Sequence, residues 1–205
     1  TALALIATGV AEAAASSTKT SVDSKFGHRG WARISIPHGV AVSPFDKSKT
    51  SCVAGPRDSY FVFSQTMQPR SWAVNGALVE KFTKRGRLDR RFGRRGVVRF
   101  RGSRPPESMI ALRDGSALLT TAKPAENGVA GWRISRLTPG GRGDTTFGSG
   151  GDLTLEVGLP SLTSRPLIVP LSSGRFAVVQ RDLSPITAPR SRLLVYSVHG
   201  SPEIS

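Results

Sequence analysis

Short apolar runs broken by glycine-containing turns dominate the chain. From Leu153 to Val157, Leu153, Leu155 and Val157 fall on one side and Thr154 and Glu156 on the other. This is the two-residue period of a strand with one face buried. Ser108 to Leu112 and Ala117 to Thr121 are apolar runs joined by Arg113-Asp114-Gly115, a hairpin signature. Leu167 to Leu171 and Arg175 to Gln180 are joined in the same way by Ser172-Ser173-Gly174. Nearer the start the pattern is looser: Val40 to Ser43 and Tyr60 to Phe63 read as strands, with Lys47 to Ser51 as a polar loop between them.

The runs recur in register with one turn, D-x-x-F-G-x-x-G. It appears as Asp23 to Gly30, Asp89 to Gly96 and Asp144 to Gly151, with its Phe at 26, 92 and 147. Before each of the later turns an apolar strand runs into a turn glycine: Val79 to Phe82 leads to Gly86, and Ile134 to Leu137 leads to Gly141. Leu193 to Tyr196 leads to Gly200 and then Glu203, the start of a fourth copy in which Glu replaces Asp. After each turn another strand follows, at Trp31 to Ile36, Val97 to Arg101 and Asp152 to Val157. Each unit therefore holds about four strands, with repeats at about 23–88, 89–143 and 144–202. A unit with two apolar faces is stable only when stacked on neighbours. The expected fold is all-β: antiparallel four-stranded units in a propeller-type arc of about three blades. Three blades are too few to close a ring, so the chain reads as a fragment of a larger propeller.

The repeat resembles the bacterial delta-60 repeat. Phe82 or Tyr196, Gly86, Asp89, Phe92, Gly93 and Gly96 match that pattern, as do Leu137, Gly141, Asp144, Phe147, Gly148 and Gly151. The likeness runs from about Asp23 to the end of the chain. It implies a propeller-like fold and export, and it carries no characterised activity.

Composition adds a compartment and a charge. With 38% hydrophobic and 21% charged residues the chain is globular rather than disordered. Residues 1–20 hold a short apolar run, Leu3 to Val10, followed by small residues with A-x-A spacing at Ala11 to Ala15. This segment reads as a signal-peptide remnant or linker, ahead of a repeat domain at 21–205, and the expected location is secreted or cell-surface. The alternative is a small Ala-rich helix packed on the core. Cys52 is the single cysteine, so neither an intrachain disulfide nor a Cys-based zinc site is possible. The formal net charge of +15 favours anionic partners such as nucleic acid, acidic lipid headgroups or cell-wall polymer.

Three groups of residues could carry chemistry. The repeated Asp23, Asp89 and Asp144 are expected to accept hydrogen bonds within their own turns, because no second carboxylate accompanies them as a calcium loop requires. The repeated Phe is expected to plug the gap between blades, and the Gly after it to adopt a positive φ. The basic run from Lys81 to Arg104 is opposed within itself only by Asp89. Its Arg90, Arg91, Arg94 and Arg95 align with Thr145, Thr146, Ser149 and Gly150, positions read as solvent-facing. They form the candidate anion-binding site, or else an ordinary solvated surface. His28, His38 and His199 fall in no metal-ligand spacing, and His38 with Cys52 lacks a catalytic motif. No cofactor is expected. The leading expectation is a non-catalytic binding or structural scaffold; the alternatives are an anionic-polymer binder and a non-catalytic part of a larger secreted enzyme. Expected partners are an anionic polymer or another protein, together with the remaining blades of a longer chain, with no membrane span.

Overall fold

The computed structural model describes residues 24–32, 34, 41–42, 50–68, 73–102, 104–126, 129–156, 165–182 and 190–203. The segment 1–20 read as a signal-peptide remnant, Asp23, His38 and most of the Trp31 to Ile36 strand lie outside them. The described residues form an all-β stack of three antiparallel sheets. The first contains β1 (Ala41–Val42), β2 (Thr50–Ala54), β3 (Tyr60–Met67), β4 (Val74–Phe82) and β5 (Val97–Arg101). The second runs β6 (Ser108–Ala111), β7 (Ala117–Glu126), β8 (Val129–Leu137) and β9 (Asp152–Glu156). The third runs β10 (Leu167–Pro170), β11 (Phe176–Asp182) and β12 (Arg190–Tyr196). In the second and third sheets the strands follow one another in chain order, the up-and-down connectivity of a propeller blade; in the first, β3, β4 and β5 do the same, while β1 and β2 both pair with β3.

Two features depart from the sequence reading. Thr50 and Ser51 belong to β2, which pairs with β3 from Thr50↔Ser64 to Ala54↔Tyr60, and so the loop read over Lys47–Ser51 gives way to a strand at these two positions, the other three lying outside the described residues. Thr50-Ser51-Cys52-Val53-Ala54 has little apolar contrast to mark it; the aromatic-rich β3 beside it supplies the pairing edge. The sheets also run out of phase with the turn-to-turn repeat. The D-x-x-F-G-x-x-G turn lies inside a sheet, between its last two strands in chain order, at β4–β5 and again at β8–β9.

Two apolar layers hold the stack together. Between the first and second sheets lie Phe61, Phe63, Val79 and Phe92 against Met109, Leu119 and Leu137. Between the second and third lie Leu118, Trp132, Ile134 and Phe147 against Ile168, Phe176, Val178 and Tyr196. Each turn phenylalanine fills the layer ahead of its own sheet, and Phe92 and Phe147 are both 0% exposed. Phe92 meets Phe61 edge-on at 5.6 Å, and Phe147 lies 6.0 Å from Phe176. Phe26, in the first copy, is half-buried and meets Tyr60 edge-on at 5.4 Å.

The glycine after each Phe makes the joint between units. Gly27 donates its N–H to Arg85 O, Gly93 to Gly140 O and Gly148 to His199 O, at 2.7, 2.8 and 2.7 Å. Each acceptor directly precedes the turn glycine of the next copy. That approach leaves no room for a side chain: a Cβ on Gly141 would sit 2.6 Å from Gly93 N, and Gly141 has φ +78°. Gly141→Ala therefore combines a left-handed backbone with a backbone clash. It should cost about 2 kcal/mol or more in urea unfolding, whereas Gly143→Ala, where a Cβ would meet nothing within 4 Å, should cost far less.

Candidate functional site

The repeated turns line up along one rim of the stack, because each is hydrogen-bonded to the next. The carboxylates of the second and third turns are used locally. Asp89 Oδ1 accepts from Arg91 N at 3.2 Å; Asp144 Oδ1 accepts from Thr146 N at 3.1 Å and from the Thr146 hydroxyl at 2.6 Å. The Thr146 hydroxyl bond is the main reason the Asp144 carboxyl titrates below its usual value; partial burial opposes it, and the Arg136 charge adds to it.

Arg90, Arg91, Arg94 and Arg95 are all exposed on this rim. The joint between Gly27 and Arg85 places exposed Lys84, Arg85 and Arg87 beside exposed Arg29 of the first turn. The joint between Gly93 and Gly140 brings exposed Arg142 up to the other side. Among the described residues, no carboxylate forms an ion pair with Arg85, Arg87, Arg90, Arg91, Arg94 or Arg95. Arg95 holds φ +55°, as does Arg29 at +54°, while the third copy has Gly150 at +66°. A left-handed backbone is strained for arginine, so the geometry of the turn does not account for arginine at that position.

The structure divides the Lys81–Arg104 run. β5 carries the chain away from the rim, so exposed Arg101 and Arg104 belong to the opposite end of the sheet. There Arg104, Gln65, Thr121 and Lys123 line a cavity of about 320 Å³ between the first two sheets. Gln65 donates through Nε2 to Pro106 O at 3.0 Å, while its buried Oε1 is unpartnered.

Lys81 is not part of the exposed surface at all. Its side chain is 10% exposed, 4.0 Å from Asp89 Oδ2. Its Nζ lies 5.1 and 5.6 Å from the centroids of the Phe61 and Phe92 rings and donates to Pro139 O at 3.3 Å. Arg136 holds the matching place in the second sheet and does the matching work. It pairs with Asp144 at 3.5 Å, donates to Val198 O at 2.6 Å and to the Ser116 hydroxyl at 3.2 Å, and forms a tight ion pair with Asp114. The two carbonyl acceptors are equivalent as well: Pro139 lies two residues beyond the end of β8 at Leu137, and Val198 two residues beyond the end of β12 at Tyr196. Sequence reasoning passed over Arg136. The available signal was a basic residue eight positions before the motif Asp in two copies, Lys81 to Asp89 and Arg136 to Asp144.

No family model, curated protein or solved structure matches the chain. His28 and His199 lie at the surface, and among the described residues no group of three or more His, Cys, Asp or Glu is placed to hold a metal. Cys52 is solvent-accessible on β2, and desolvation of its sulfur raises the thiol pKa above the ordinary value, which lowers its nucleophilic fraction. No helix among the described residues is long and apolar enough to cross a membrane.

Proposed function

We propose that this chain is a non-catalytic binding scaffold, exported to the cell surface or beyond, that presents its rim of turns to an anionic polymer. The observation that carries this reading is the cluster of exposed arginines, with no carboxylate partner among the described residues, on turns joined rigidly to one another. Fixed cations spaced along a rigid edge suit a ligand with repeating negative charge, such as wall polymer or nucleic acid, better than a compact small molecule. The resemblance to the delta-60 repeat supports export, as does the A-x-A spacing in residues 1–20.

The test replaces the four arginines by their counterparts in the third copy: Arg90→Thr, Arg91→Thr, Arg94→Ser and Arg95→Gly. These residues already occupy the same turn there, so folding should be retained, and Arg95→Gly relieves a left-handed arginine. Binding of a polyphosphate chain to the parent should weaken linearly with log salt, as counterions are released. In the variant that slope should flatten by about 3–4, near one for each phosphate no longer neutralised. An unchanged slope with unchanged affinity would remove the rim from the function.

A further inference from the structure

The third sheet has a finished back and an open front. Ile168, Phe176, Val178 and Tyr196 point back into the layer shared with the second sheet, with Leu194 packed against them. Strand alternation therefore puts Leu167, Val169, Ala177, Val179, Leu193 and Val195 on the opposite face. Their pairing makes this face continuous: Leu167 is opposite Val179, which is opposite Leu193, and Val169 is opposite Ala177, which is opposite Val195. Leu167 is 62% exposed, Leu193 67% and Val169 39%.

The same face of the first two sheets is where each receives its successor. There Val79 and Ile134, the counterparts of Leu193, are both 0% exposed. The counterparts of Val195 are Lys81 and Arg136, which reach across to a carbonyl of the next unit. In the third sheet valine takes the place of that cation, and these six positions are all aliphatic. The edge is open as well: among the described strands β4 and β8 each pair on both sides, whereas β12 pairs only with β11.

The lead-in to another unit is already built. Glu203 N donates to Val195 O at 2.8 Å, as Asp89 N does to Lys81 O and Asp144 N to Arg136 O, at 2.8 and 2.9 Å. In both of those copies the third residue onward is the phenylalanine that plugs the layer ahead of its sheet.

We infer that the Leu167–Val169–Leu193 face is a docking surface for a fourth unit of this repeat in the same polypeptide. That unit would add its Phe-Gly turn and a strand beside β12, then lay the back of its own sheet on this face. The claim is independent of the anionic-polymer reading, because it concerns the stacking face and not the rim.

The test joins a duplicate of residues 145–203 directly after Glu203 of the chain, so that the duplicated Phe147 and β9 follow the existing lead-in. In the parent, Leu193→Asp should leave Tm nearly unchanged, because the side chain is in water. In the extended chain the same change should lower Tm by roughly 6–12 °C, since it now places a carboxylate in an apolar layer. The amides of β12 on its open side should also gain hydrogen-exchange protection in the extended chain only. If Leu193→Asp is equally silent in both chains, or the added residues exchange as an unfolded tail, the proposal fails. A parent that dimerises in sedimentation and loses the dimer on Leu193→Asp overturns it too, by assigning the face to a second copy.

Discussion

Replacing Phe147 or Phe92 by alanine should destabilise the protein by about 3–5 kcal/mol, the usual cost of deleting a fully buried ring. Both rings are 0% exposed, and each packs on another aromatic across or within its layer. The surroundings have little freedom to close the cavity, because the turn bearing each ring is tied to the next by the glycine N–H bond. The two rings lie in separate apolar layers, so the double variant should lose close to the sum, within about 0.5 kcal/mol. Phe26→Ala should cost distinctly less, since that ring is only half-buried. Urea unfolding followed by tryptophan fluorescence measures all four variants. A loss within about 0.5 kcal/mol for Phe92 or Phe147 would mean that the layers are not packed as described.

The second large effect belongs to Arg136. It is 8% exposed at the side chain and binds Asp114, Asp144, the Ser116 hydroxyl and Val198 O. Arg136→Met keeps the aliphatic stem but strands two carboxylates and a carbonyl. Removing one partner of a buried pair costs about 3–5 kcal/mol. The lower end applies here, because Asp114 is 36% exposed and water can solvate it in part.

The same cluster makes stability sensitive to acid. Burial alone would raise the Asp114 carboxyl; hydrogen bonds from Ser116 and the Arg136 charge outweigh it and hold the group below its usual 3.8. Asp144 is lowered as well. For a carboxylate whose folded pKa is depressed, the stabilisation is present above the unfolded pKa and is lost as pH falls through the folded one. The parent should therefore lose stability as pH drops below 3.8, and Arg136→Met should show a shallower loss over the same range. Urea unfolding at a series of pH values distinguishes the two; parallel curves would exclude Arg136 as the source of the acid sensitivity.

The repeat was legible in the sequence because its chemistry is local. The positive φ of Gly93 and Gly148, +52° and +58°, follows from a turn that few other residues can adopt. The Asp89 and Asp144 carboxylates bond to backbone two residues away. Alternation in Leu153–Glu156 and the hairpin at Arg113-Asp114-Gly115 likewise need only near neighbours, and they were enough to establish an all-β repeat with Phe92 and Phe147 inside. The exposed arginines could also be placed, because Thr145, Thr146, Ser149 and Gly150 show what the same turn tolerates.

Only the tertiary structure decided what the neighbouring sheet does to a residue. Lys81 looks like one more surface cation in a basic run, yet the second sheet and the turn at Pro139 cover it. Arg101 and Arg104 are close to Arg95 in sequence and separated from it by the length of β5. β2 has weak strand character of its own and exists because β3 offers it an edge. In each case the deciding interaction depends on how the chain is carried across or between sheets, and no local period records it. Burial in a stacked-sheet protein is a property of the pair of faces, and a sequence displays only one face at a time.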